Sequence, residues 1–295
     1  MLFVVRRTFR ACLLVLAVSS AALLLVHLAP GDAFSDVQAD PATVSAERAR
    51  LRLDRPFVEQ YASWFRRALV LDFGESTRFH RPVAALLGER IGSTVQLGVL
   101  ALALAIGIGL PAGVLTASSP RRPSTWIVQT ASLLLIATPP LVTALVLLLL
   151  ESRSGWPPAG LPLATLALGL PIAAALERLQ SRAMGEALAD PCIAAARARG
   201  VSRSRSVWVH ALPLSLKPVL GVLGIVIGTV LSGSFVVEYV TSWPGIGTLM
   251  YDALVSRDLF LAAGCAAAGS LFLALGLLVT DIALMLVDPR AVEQA

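Results

Sequence analysis

The sequence is poor in the residues that make a water-facing surface. Only 15% of its 295 residues are charged, against 56% hydrophobic, and mean hydropathy is +0.77. A soluble domain carries about a quarter charged residues, so a soluble enzyme of this length is excluded. Cysteine is scarce: Cys12, Cys192 and Cys265 lie far apart, which argues against a disulfide framework or a cysteine metal cluster. His27, His80 and His210 are scattered over three segments and indicate no metal site. Lysine is nearly absent. Lys217 is the one lysine among 24 basic residues, and proline follows it. A GxxxxGKS or GxxxxGKT phosphate loop is therefore missing, and no HExxH, paired CxxC or GxSxG occurs. No residue is assigned a catalytic, cofactor-binding or metal-binding role, and the chain is read as a non-enzyme. The net charge of +5 is arginine-borne, and its placement beside apolar runs points to a membrane rather than to nucleic acid.

What is present is a set of charge-free runs: 11–31, 91–120, 123–150, 154–176, 218–237 and 259–280. A helix needs about 20 apolar residues to cross the hydrocarbon core. The pattern predicts an all-α polytopic membrane protein with six transmembrane helices. The fourth span is interrupted by Pro162 and Pro171, which membrane helices tolerate when neighbours satisfy the freed carbonyls. Gly98, Gly107, Gly109 and Gly113 in the second span permit close packing. The first run follows Arg6, Arg7 and Arg10 but is longer than a signal-peptide core, so we read it as a retained span.

Short loops on one side carry Arg121, Arg122 and then Arg178, Arg182, Arg197, Arg199, Arg203, Arg205 and Lys217, whereas 151–157 and 238–258 hold one arginine each. The positive-inside bias predicts cytoplasmic N and C termini. The organisation expected is an N-terminal span at 1–31, an extracytoplasmic segment at 32–90, a five-helix core at 91–288 with a cytoplasmic loop at 177–217, and a tail at 289–295.

Within 32–90, Phe57, Val58, Tyr61, Trp64, Phe65, Ala68 and Leu69 recur at helical spacing, with Glu59, Gln60, Ser63, Arg66 and Arg67 opposite. This predicts an amphipathic helix whose aromatic face either packs on the spans or receives an extracellular partner. Within 177–217, Asp190–Pro191 reads as a helix start and Gly200 as its stop. A second helical stretch from Ser202 to Leu212 is expected to end at Pro213. Such a helix–turn–helix suits docking to another protein as well as it suits a plain basic loop. Among the spans, Asp281 is the isolated intramembrane carboxylate; it serves either packing or the coupling of a proton-driven secondary transporter.

Taken in order, RRTF (Arg6 to Phe9), VHLAPGD (Val26 to Asp32), LDRPFVEQY (Leu53 to Tyr61), DFGES (Asp72 to Ser76), RPV (Arg81 to Val83), ER (Glu89, Arg90) and GLPAGVL (Gly109 to Leu115) are followed by AARARG (Ala195 to Gly200), VHAL (Val209 to Leu212), SWPGIG (Ser242 to Gly247), DALVSRD (Asp252 to Asp258) and DPR (Asp288 to Arg290). In this order the chain resembles, nearly end to end, a permease subunit of the peptide/nickel-type ABC importers. The resemblance implies a type I importer permease fold in a bacterial inner membrane. It also implies a second homologous permease, two cytoplasmic ATP-binding subunits, and an extracytoplasmic solute-binding protein.

It further implies that 177–217 carries the EAA motif, EAAxxxGx9IxLP, which inserts into the ATPase. The matching positions are Ala195, Ala196, Gly200, Leu212 and Pro213, with Pro191, Ile193, Arg197 and Arg199 on the same element. Ala194 stands where the motif has glutamate, and His210 where it has isoleucine. Trp243, Pro244 and Gly245, with Tyr61 and Trp64, are the implied outer gate or binding-protein seat. Substrates compatible with the resemblance are peptides, glutathione-like peptides, nickel chelates and oligosaccharides, with peptide-like solutes the commonest in the family.

Overall fold

The computed structural model describes residues 2–28, 41–51, 54–155 and 160–287. Among these the chain is helical, with one isolated bridge between Glu75 and Pro82. The elements are α1 (Leu2–Leu28), α2 (Pro41–Arg50), α3 (Phe57–Ala68), α4 (Val83–Ser118), α5 (Pro123–Ala137), α6 (Pro140–Ser154), α7 (Leu161–Leu188), α8 (Pro191–Ala198), α9 (Arg203–Arg205), α10 (Leu212–Val240), α11 (Ile246–Val255) and α12 (Leu259–Val287). A π-helical turn, Ser206–Ala211, joins α9 to α10 without a break.

Five of these helices are long and apolar enough to cross a membrane, and α5 with α6 makes a sixth span only as a broken pair bent by 109°. The expected span at 123–150 is thus two helices rather than one. Pro139 and Pro140 lack the amide hydrogens a continuing helix requires, and Thr138 takes an extended conformation. Pro162 and Pro171 have the opposite outcome. The former sits in the first turn of α7, where its missing donor costs nothing, and the latter lies inside an unbroken helix.

Several boundaries move outward, because charge-free runs mark hydrocarbon rather than helix ends. α4 starts at Val83 and includes Glu89 and Arg90, so the last residues of the expected 32–90 segment are already helical. α7 continues to Leu188, so the first third of the expected 177–217 loop is helix. Pro213 does not end the second stretch: the helix runs on from Arg203 to Val240. The wide π turn and the position of Pro213 at the start of α10 accommodate the ring. The expected tail at 289–295, the DPR string and residues 32–40 lie outside the described residues.

The chain divides into two compact units: Met1–Thr94 with Pro244–Ala274, and Val95–Trp243 with Leu275–Ala295. In the second unit α7 is the central helix, packed by α5, α6 and α10 around Leu97, Ala101, Ala105, Ala144, Leu168, Ile172, Leu176 and Val230. Gly109 and Gly113, four residues apart, bring α4 against α7. A Cβ on Gly109 would lie 2.5 Å from the Ala173 carbonyl oxygen, and one on Gly113 would lie 2.6 Å from that of Glu177. Two of the four glycines in this span are therefore specific contacts, whereas Gly107 faces open space.

In the first unit α3 docks on α1 through an aromatic ladder. His27 stacks on Phe57 at 4.3 Å, Tyr61 lies 6.2 Å from Phe57 and Trp64, and the Ser20 and Tyr61 hydroxyls are 2.9 Å apart. Asp258, fully buried, accepts from the Ser76 hydroxyl at 2.6 Å and from the amides of Arg78 and Leu261, tying the 72–82 loop to the start of α12.

Candidate functional site

The best-formed candidate is the element that follows α7. The Asp190 carboxylate accepts from the Cys192 amide at 2.8 Å, and Pro191 occupies the first helical turn. Hydrogen bonding from Cys192 holds this carboxyl below its usual range. Eight residues later the helix closes by two reciprocal bonds, Val201 amide to Ala196 carbonyl and Gly200 amide to Arg197 carbonyl. That closure requires a left-handed residue, and Gly200 supplies it at φ +89°. The Ser202 hydroxyl then starts the next helix by accepting from the Arg205 amide.

Packing divides α8 into two faces. Ile193 and Ala196 are buried and join Val114 of α4, Met184 and Ala187 of α7, and Val207 and Ala211 of the π turn in one apolar cluster, which Leu212 also touches. Pro191, Ala194, Ala195, Arg197, Ala198, Arg199 and Gly200 are exposed. The predicted residues are therefore brought to one element but split by role: Ile193, Ala196 and Leu212 hold the helix to its own chain, while Pro191, Ala195, Arg197, Arg199 and Gly200 face outward. Pro213 is exposed at the start of α10. Small side chains on the outward face let another surface approach the helix backbone closely. The two arginines place positive charge at the negative end of the helix dipole.

A polar seam lies next to this cluster and was not anticipated from the sequence. Thr116 Oγ1 is 2.7 Å from Glu177 Oε1 and 3.0 Å from Ser181 Oγ, and the Gln180 amide donates to Ser215 Oγ at 2.8 Å. Glu177, Gln180 and Ser215 are buried. The seam cross-links α4, α7 and α10 beside the seat of α8. The i, i+4 spacing of Glu177 and Ser181 was the available signal. It was missed because α7 was expected to end at 176.

The other predicted residues are not assembled with α8. Trp64 is 1% exposed and Tyr61 is half-buried on α1, so the aromatic face of α3 is committed to its own chain. Gln60, expected on the polar face, is buried and donates to the Arg55 carbonyl, whereas Val58 and Leu69, expected on the packed face, are exposed. The packed face is thus rotated toward Gln60 and Trp64. Trp243 is half-buried against the core of the second unit, and its amide donates to the Glu238 carbonyl at 2.8 Å, closing α10 with Ser242 at φ +55°. Pro244 is exposed and Gly245 is buried at the start of α11. Asp281 is half-buried in the last two turns of α12.

Fold and site together define a multi-span helical membrane protein that presents a short, capped helix beside the ends of its long helices. Residues 109–293 match the family described as binding-protein-dependent transport system inner membrane component, and residues 1–97 match its N-terminal counterpart. The chain belongs to this family: it is a multi-pass inner-membrane permease of an ABC importer, with the type I permease fold. It is 29% identical to the oligopeptide transport system permease protein AppB of Bacillus subtilis over 98% of both chains. It is 30% identical to the glutathione transport system permease protein GsiC of Escherichia coli K12 over 87% of both.

Proposed function

We propose that this chain forms half of the translocation path for peptide-like solutes and is driven by a separate ATP-binding subunit seated on α8. The observation that carries the proposal is similarity over nearly the whole chain to permeases named for oligopeptide and glutathione transport. The split faces of α8 support the coupling part, since the buried face fixes a lever and the exposed face is small and basic. In this reading both termini are cytoplasmic, a second homologous permease completes the path, and an extracytoplasmic binding protein delivers solute. ATP-driven closure of the partner subunits moves α8, and the polar seam carries that motion into α4, α7 and α10. Asp281 then needs no proton-coupling role, because energy comes from the partners. No cofactor enters the mechanism.

The test is purification of the tagged chain in mild detergent with mass spectrometry of what stays bound, alongside uptake of labelled tripeptides in cells with and without the gene. Co-purification of an ATP-binding subunit and a second permease, with gene-dependent tripeptide uptake, is the expected result. A chain that purifies alone, or uptake driven by a proton gradient without ATP, overturns the coupling reading. Gene-dependent uptake of a non-peptide solute only overturns the substrate class.

A further inference from the structure

We infer that α3 and the turn after it lie in the membrane–water interface where α1 ends and α12 begins, with the side formed by Val58, Ala62 and Leu69 set among phospholipid acyl chains. The helix has three sides rather than two. Phe57, Gln60, Tyr61 and Trp64 form the packed side, buried or half-buried, and Glu59, Ser63, Arg66 and Arg67 form a polar side. Val58, Ala62, Phe65 and Leu69 recur at i, i+4, i+7 and i+11 and make a third side between them. It is apolar and largely uncovered: Val58 is 75% and Leu69 64% exposed, and Val70 and Leu71 extend it at 75% and 73%. Exposed apolar side chains that stand singly need no explanation, but a contiguous run of them does.

The end of the helix points the same way. The Asp72 amide donates to the Arg67 carbonyl, and Leu71 takes the left-handed conformation at φ +61°. Glycine adopts that conformation freely and leucine only with strain. A leucine held there and left uncovered wastes both strain and apolar surface in water, and neither the run nor the turn is unfavourable against lipid.

Contacts at both ends fix the level at which α3 sits. At its start Phe57 stacks on His27 in the last turn of α1, and the Tyr61 hydroxyl lies 2.9 Å from that of Ser20, two turns further in. The separation of Ser20 and His27 is about 10 Å at the helical rise, and an interfacial helix buries its apolar side by about 5–10 Å. At its end the Arg67 guanidinium lies 5.7 Å from the ring of Phe260, in the first turn of α12. The helix thus lies across the ends of two spans rather than standing away from them.

This level selects the occupant. Leu24, Leu25 and Leu28 are exposed on the same turns of α1, and acyl chains cover such leucines in a multi-pass membrane protein. The same lipid reaches the uncovered side of α3. A water-soluble partner stops at the headgroups and does not bury valine and leucine at that depth. A packed, an apolar and a polar side, each about a third of the turn, are what a helix lying in the interface beside its own protein needs: one for the protein, one for acyl chains and one for headgroups and water.

The test places nitroxide labels on the full-length chain, reconstituted in phosphatidylcholine–phosphatidylglycerol liposomes together with whatever subunits co-purify with it. The background carries Cys12→Ser and Cys192→Ser; Cys265 is buried and stays. Labels are attached to Val58→Cys, Leu69→Cys and Leu71→Cys on the apolar side, and to Glu59→Cys and Arg66→Cys on the polar side. Thermal unfolding verifies that each variant is as stable as the background. Collisions with oxygen, which concentrates among acyl chains, are expected to exceed those with a water-soluble chromium complex at 58, 69 and 71, and the ratio is expected to reverse at 59 and 66. A ratio favouring the chromium complex at 58, 69 and 71, or the same ratio on both sides, overturns the proposal. Loss of collisions with both reagents at 58, 69 and 71 places a protein surface there, from a second permease or a binding protein, and also overturns it.

Discussion

The 190–213 segment, whose last residues open the Arg203–Val240 helix, and the 54–82 segment, which lies between α2 and α4, are held by different chemistry. The first rests mainly on one small apolar cluster, with Ile193 and Ala196 as its contacts from α8 and one hydrogen bond from the Arg203 guanidinium to the Ser118 carbonyl, and leaves most of α8 exposed. The second is pinned at many points: the aromatic ladder to α1, two hydrogen bonds into buried Asp258, and a two-pronged Arg50–Glu75 pair at 2.8 and 2.9 Å. A segment held by one apolar face can be rocked as a body and still offer its other face to a partner. A segment tied by directional bonds resists both. In the proposed mechanism the first is the moving part and the second the fixed one.

The largest break in this comparison is Trp64→Ala, which removes the biggest fully buried side chain. The expected loss is about 3–5 kcal/mol, read as cleavage of 54–82 by protease at a lower temperature, with the seat of α8 unaffected. Asp258→Ala removes the acceptor of three bonds and is expected to cost about 2–3 kcal/mol, read by the same assay; unchanged protease resistance would show that the loop is not pinned there. Gly113→Val pushes α4 off α7 and is expected to cost about 1–3 kcal/mol by overpacking, measured as a lower unfolding temperature.

Gly200→Val sharpens the comparison because it separates motion from stability. No atom lies within 4 Å of the added Cβ, so the cost is backbone strain at φ +89°, about 1–2 kcal/mol. The chain is expected to insert and fold while uptake is lost; normal uptake would sink the lever assignment. The smallest effect is electrostatic. Arg50 holds the Glu75 carboxyl below its ordinary value of 4.5, so the pair's stabilisation is present above that pH. It is lost as pH falls through the lower folded-state value. Protease sensitivity of 54–82 is expected to rise only below about pH 4.5, and to lose this dependence in Glu75→Gln.

Much of this was legible in the residues. Asp190, Pro191 and Gly200 marked the ends of α8 because caps are local: a side-chain acceptor, a ring without an amide hydrogen and a residue without Cβ act within one turn. The Phe57–Ala68 helix was legible from its period, but its packed face was not. Gln60 replaces Val58 inside because the Arg55 carbonyl satisfies its amide there. The bend at Thr138 was hidden because the apolar run continues across it. α7 was cut short because buried Glu177 and Gln180 read as a loop until Thr116 and Ser215 are seen beside them.

By itself the sequence determined that this is a six-run helical membrane protein with a capped helix after the fourth run. Hydropathy, caps and glycine are properties of neighbouring residues. Only the tertiary structure decided which face of α8 is free, which glycines are contacts, and which side of α3 stays uncovered. Those depend on residues brought together from distant parts of the chain, where no local period records them.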